Sequence, residues 1–100
     1  MEKLTEAEIA EKLKTVANWK ITEEKWIERK YRFPEYLNGI KFVQKVAELS
    51  ERMNHHPFIS IDYKLVTLKI TSWHAKGLTG LDFDLAKKSD ELYLSVKRDQ

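Results

Sequence analysis

The segment Glu51-Arg52-Met53-Asn54-His55-His56-Pro57 sets two of the chain's three histidines side by side, one helical turn after a carboxylate. Histidine is the side chain whose ordinary pKa lies near neutrality, so neighbouring imidazoles can give and take protons at working pH. An acid and a base in one short segment are the equipment for proton-transfer chemistry. Pro57 restricts His56 to an extended backbone, which holds the pair out of a helix. His55 follows the end of a helical pattern, where the carbonyl dipoles favour a cationic ring.

The elements that position these residues can be read from periodicity. Thr5-Glu6-Ala7-Glu8 is a capping box, and Ile9, Leu13, Val16 and Ala17 recur at helical spacing, which predicts a first helix to about Ala17. Trp19 and Ile21 predict a short strand, with a turn over Lys20 to Lys25. Ile27, Tyr31 and Phe33 alternate with Glu28, Lys30 and Arg32 in a half-buried strand that only Arg29 interrupts. Pro34 suits the first turn of a second helix, whose apolar face comprises Leu37, Ile40, Val43, Val46, Ala47, Leu49 and Met53. Gly39 within it is a liability of roughly 1 kcal/mol relative to alanine. After the histidines, Ile59, Ile61 and Tyr63, then Val66, Leu68 and Ile70, alternate with polar residues across a tight hairpin. Thr79-Gly80-Leu81-Asp82 opens a third helix with Leu81, Leu85, Leu92 and Val96 inward.

The order helix, two strands, helix, two strands, helix implies an α+β fold: a four-stranded antiparallel sheet with helices packed on one face. One hundred residues make a single domain, 1–100. With no cysteine, neither a disulfide framework nor a thiolate zinc site is available. No run has the length of a membrane span and no signal peptide is evident, so a cytoplasmic address is expected. Net charge is +2, and Lys87, Lys88, Lys97 and Arg98 are interleaved with Asp84, Asp90 and Glu91. That pattern predicts a solvated helix face rather than a stripe that tracks phosphates.

With the elements in place, a set of spaced residues resembles a known family. Glu51, the His55-His56-Pro57 run, Tyr63, Trp73, Gly77-Leu78-Thr79 and Asp82 together are similar to the pterin-4a-carbinolamine dehydratases, whose animal members also serve as the dimerization cofactor of a homeodomain transcription factor. The specific part runs from about Glu51 to Ala86, and the element order upstream agrees. The resemblance implies a cytosolic hydro-lyase without metal or cofactor. Its substrate would be a 4a-hydroxy-tetrahydropterin, left when an aromatic amino acid hydroxylase has used its pterin. The products would be the quinonoid dihydropterin and water. It also implies a homo-dimer or homo-tetramer. In one respect the chain departs from the pattern. Trp73 stands where many members carry a third histidine, and His74 comes one residue late. An indole N–H donates a hydrogen bond but cannot shuttle a proton.

The resemblance casts His55 and His56 as the catalytic pair; which is acid and which is base is open from sequence, and the helix end before His55 favours it as the acid on the 4a-oxygen. Glu51, one turn before His55, would orient that ring. Asp82 matches the family aspartate, yet an acid at this helix position is favoured by capping alone. Trp73 would wall the flat pterin, His74 would be structural, and Pro57 would set the backbone. Three imidazoles plus water is a known zinc arrangement, but adjacent histidines share an ion only where the backbone turns sharply, and Pro57 opposes that. An RNA-binding sheet is disfavoured by the element order and by the lack of an aromatic strand motif, so no direct nucleic-acid partner and no membrane partner is expected. The alternatives are a non-catalytic dimerising interaction module, or a pterin-handling role in molybdopterin metabolism.

Overall fold

The computed structural model describes residues 2–98. Seven elements follow in the expected order: α1 (Glu6–Leu13), β1 (Lys20–Thr22), β2 (Trp26–Arg32), α2 (Tyr36–Met53), β3 (Phe58–Asp62), β4 (Leu65–Ile70) and α3 (Gly80–Arg98). The four strands form one antiparallel sheet in the order β1-β2-β4-β3.

Alternation decides which face is buried. Ile27 and Tyr31 on β2 and Val66, Leu68 and Ile70 on β4 are fully buried, and Ile27↔Ile70 and Tyr31↔Val66 are direct cross-strand partners. Phe42, Val46 and Leu49 of α2 and Phe83, Leu85, Ala86 and Val96 of α3 complete this core. Each large side chain so buried contributes about 1.5–3 kcal/mol. Among the described residues, no helix covers the opposite face, with Glu28, Lys30 and Lys69.

Gly39 has a use that offsets its helix penalty. A Cβ there would lie 3.3 Å from Phe33 Cδ2 and 3.5 Å from Val66 Cγ2. The missing side chain therefore lets α2 lie close against the sheet.

Several boundaries differ from the periodic reading. α1 keeps its capping box, with both Thr5–Glu8 bonds present, but ends at Leu13. Beyond it, Lys14, Thr15 and Val16 donate three residues back, to Glu11, Lys12 and Leu13, so the chain continues in tight turns. Val16 keeps its inward place through that turn. α2 begins at Tyr36, leaving Pro34 before the N-cap Glu35, which makes no side-chain cap. The first strand connection is only Glu23–Lys25 long, and Tyr63 belongs to the hairpin turn with φ 55°. The apolar face of α2 is also rotated: Gly39, Phe42, Val46, Leu49 and Ser50 are buried, whereas Leu37 is 72% exposed and Ala47 is exposed.

Arg29 and Asp90 overturn two expectations together. Arg29, the residue that breaks the alternation of β2, points to the covered face, and Asp90 does not belong to the solvated face of α3. Asp90 Oδ1 accepts from Trp19 Nε1 at 3.0 Å, Arg29 Nη1 at 2.8 Å and Tyr31 Oη at 2.6 Å. The guanidinium also lies 4.3 Å from the centroid of the Tyr31 ring and 5.2 Å from that of Tyr93. One carboxylate thus ties Trp19, β2 and α3 together. Lys87, Lys88, Lys97 and Arg98 are exposed, as the charge pattern predicts.

Candidate active site

The site begins with how α2 stops. Asn54 adopts the left-handed conformation, φ 51° and ψ 43°, which asparagine tolerates better than most residues. Its N–H donates to Glu51 O at 3.3 Å and the His55 N–H reaches Ser50 O at 3.1 Å, the double pattern of a Schellman turn. The reversal carries His55 to the first turn of α3 and leaves His56 beside the helix just ended.

His55 Nε2 lies 2.7 Å from Asp82 Oδ1, with the imidazole 13% exposed and the carboxylate fully buried. Asp82 Oδ2 accepts from Ser72 Oγ at 2.8 Å and from the Thr79 N–H at 2.7 Å. Ser72 and Thr79 hydroxyls are 3.0 Å apart, and Thr79 Oγ1 accepts from the Leu81 N–H at 3.2 Å. Asp82 is thus bonded at both ends of its carboxylate. One oxygen closes the start of α3 and the other holds the histidine.

His56 Nε2 lies 2.5 Å from Glu51 Oε2, and both side chains are more than half exposed. This corrects the expected partnership, because Glu51 holds His56 rather than His55. The i,i+4 spacing applies only while the helix continues, and the Asn54 reversal exchanges the partners. The two rings engage different carboxylates, an arrangement unlike two ligands turned toward one ion.

His55, His56, Pro57, Trp73 and His74 line a single cleft of about 450 Å³, within the range typical of small-molecule sites. Glu51 and Asp82 stand behind the rings they hold. Trp73 is 60% exposed. His74 is exposed in the turn after β4 and does not continue the apolar face of that strand. The strand ends at Ile70, and a bridge between Ser72 and Gly77 closes the turn.

Sequence reading missed Ser72 and Phe58, which also line the cleft. Ser72 carries no local signal, since its position opposite Gly77 arises only when the turn closes. Phe58, at the first position of an edge strand, is indistinguishable in sequence from a core residue.

Comparisons with known proteins place the chain in a family. Residues 2–92 match the model of the family described as Pterin 4 alpha carbinolamine dehydratase. A protein of Sulfurisphaera tokodaii assigned by name as a pterin-4-alpha-carbinolamine dehydratase is 40% identical over 92 residues, 92% of this chain and 98% of that one. A protein of Chloroflexus aurantiacus with the same assignment is 44% identical over 92 residues, with the same two coverages. The crystal structure of a transcriptional coactivator/pterin dehydratase from Brucella melitensis superposes with a TM-score of 0.88 at 26% identity, over 92% of this chain and 99% of that chain. A pterin dehydratase-like RuBisCO assembly factor of the alpha-carboxysome shares the fold at a TM-score of 0.66 and 19% identity, over 76% of this chain and 89% of that one. Its function does not carry over at that identity. The chain belongs to the pterin-4-alpha-carbinolamine dehydratase family, a family of hydro-lyases.

Proposed function

We propose that the protein dehydrates a 4a-hydroxy-tetrahydropterin to the quinonoid dihydropterin and water, in recycling of a pterin cofactor, with His55 and His56 as the proton-transferring pair. The observation that carries this reading is that each histidine has its own carboxylate, Asp82 or Glu51, and that both rings open on one cleft.

A carboxylate accepts a ring N–H, so Nε2 of each histidine carries the proton and Nδ1 is the nitrogen left to exchange one. His55, cationic, acts as the acid on the 4a-oxygen. As that oxygen is protonated, the C4a–O bond breaks and the N5 lone pair forms the C4a=N5 double bond. His56 takes the proton from N5, and water leaves. The charge gained by His56 equals that lost by His55. Positioned proton transfer contributes typically about 10²–10⁴-fold, enough to supply much of the rate in a reaction that needs no strong bond activated. Trp73 stacks against the pterin, Pro57 fixes the approach of His56, and His74 lies at the rim without a proton-transfer role.

We further assign the protein to homo-oligomers in the cytoplasm. β3 is an edge strand, and exposed edges favour pairing with a second copy. On α2, Leu37 and Ala47 are exposed beside half-buried Ile40 and Val43, an apolar stripe suited to helix packing between copies.

Stopped-flow dehydration of freshly generated 4a-hydroxy-tetrahydropterin tests the catalytic reading. His55→Ala and His56→Ala are each expected to slow the wild-type rate about 10²-fold or more while remaining folded. Trp73→His reports what the indole costs or confers. A folded wild type no faster than buffer would defeat the assignment.

A further inference from the structure

The histidine cleft continues onto the uncovered face of the sheet, and there its wall is aromatic. Phe58 and Trp73 are 55% and 60% exposed, and behind them Trp26, the first residue of β2, is only 6% exposed. Ring centroids are 4.9 Å apart for Trp26–Phe58, 5.2 Å for Trp26–Trp73 and 6.0 Å for Phe58–Trp73. Lys69 Nζ stands 4.8 Å from the centroid of the Trp26 ring. The strands fix this cluster: Phe58 is paired with Lys69 in the β3–β4 register. The buried Trp26 holds two exposed rings in place before any ligand arrives, and such a surface favours flat π-systems.

Four polar groups around this wall are already engaged, while Asn54 and His74, which also line the cleft, are exposed. Lys69 Nζ donates to Glu23 Oε2 at 3.0 Å, and Thr71 Oγ1 donates to the Lys25 carbonyl. Ser72 and Thr79 are held by Asp82 and by each other. A hydroxylated chain laid here would find few free partners, whereas an aromatic ring would find the exposed face of Phe58, with Trp73 taken up by the pterin itself. The chemistry fixes where such a ring must come from. Carbon 6 of a pterin adjoins N5, so its substituent leaves the reacting edge beside the histidines, and Phe58 is two residues from His56.

We propose that the site is built for a 4a-hydroxy-tetrahydropterin whose 6-substituent carries an aryl ring, with Phe58, backed by Trp26, as the specificity-determining residue. This inference rests on the dehydratase reading for its substrate and adds the class of side chain.

The test compares 6-methyl-7,8-dihydropterin with the uncharged 6-anilinomethyl-7,8-dihydropterin in calorimetric binding, and the two corresponding carbinolamines in stopped flow. Wild type is expected to favour the aryl compound by about 5- to 10-fold, the scale of one aromatic stack. Phe58→Ser, at an exposed position, brings that ratio close to one. Trp26→Leu does the same if it folds. Equal affinity for both compounds in wild type, or a Phe58→Ser variant that weakens both equally, overturns the proposal. Acceleration of both carbinolamines without preference keeps the dehydratase and rejects the aryl side chain. Aryl preference in binding with neither carbinolamine accelerated upholds the platform and rejects the dehydration.

Discussion

Asp82 holds His55 through Oδ1 at 2.7 Å while its other oxygen accepts the Thr79 N–H at 2.7 Å, so the residue that starts α3 also aims the more buried histidine. Helix position and ring orientation are thereby one constraint. The exposed His56–Glu51 pair has no such anchor, and the two partnerships respond differently to perturbation.

Asp82→Asn separates them most sharply. An amide keeps the shape but presents its NH₂ or its oxygen to His55, and the NH₂ would move the ring proton to Nδ1. Loss of the buried charged acceptor is expected to cost about 1–3 kcal/mol of stability. Dehydration should slow on the order of 10²-fold, beyond what stability explains. Denaturation midpoints, stopped-flow rates and nitrogen chemical shifts of the imidazole give the three readouts.

Glu51→Gln should leave the denaturation midpoint nearly unchanged, since exposed ion pairs contribute roughly 0–1 kcal/mol. Its effect is on rate, smaller than that of Asp82→Asn. High salt should mimic it, because screening reaches an exposed pair and spares a buried one. A rate insensitive to both the substitution and salt would remove Glu51 from the mechanism.

Asp90→Ala leaves Arg29, with its side chain only 14% exposed, without its counter-charge and strips acceptors from Trp19 and Tyr31. Breaking one side of such a pair costs about 3–5 kcal/mol. Urea denaturation is expected to show a loss of that size. A loss below about 1 kcal/mol would mean that the three donors find water instead.

Alkaline stability should report on Tyr31. Burial, reinforced by the hydrogen bond to Asp90, pushes its hydroxyl far above the ordinary 10.0 of a tyrosine. The folded state therefore favours the neutral phenol. Its contribution is fully present below pH about 10 and is lost as pH rises beyond that, because the unfolded chain then ionises and the folded one does not. Unfolding free energy should fall more steeply above pH 10 in wild type than in Tyr31→Phe. Equal slopes would show that the ring is not sealed in the core.

Much of this was legible from residues near one another in the chain. The Thr5–Glu8 capping box, the alternation of Val66, Leu68 and Ile70, and the hairpin before them are local patterns, and local sterics and hydrogen bonding determine them. The His55-His56-Pro57 run marked the candidate site for the same reason. Partner choice was not local. The i,i+4 rule assigns Glu51 to His55, but the left-handed turn at Asn54 gives Glu51 to His56 and sends His55 to a residue 27 positions away. A charged helix pattern likewise shows that α3 has a wet side but not that Asp90 lies opposite Arg29 of β2.

Sequence alone therefore determined the order of the elements, the covered face of the central strands and the residues able to transfer protons, because each follows from periodicity or side-chain type. Tertiary structure decided which carboxylate serves which histidine, why Gly39 lies in a helix, and that Trp26, Phe58 and Trp73 form one surface. Those facts depend on contacts between distant segments, which exist only once the helices have docked and the strands have found their register.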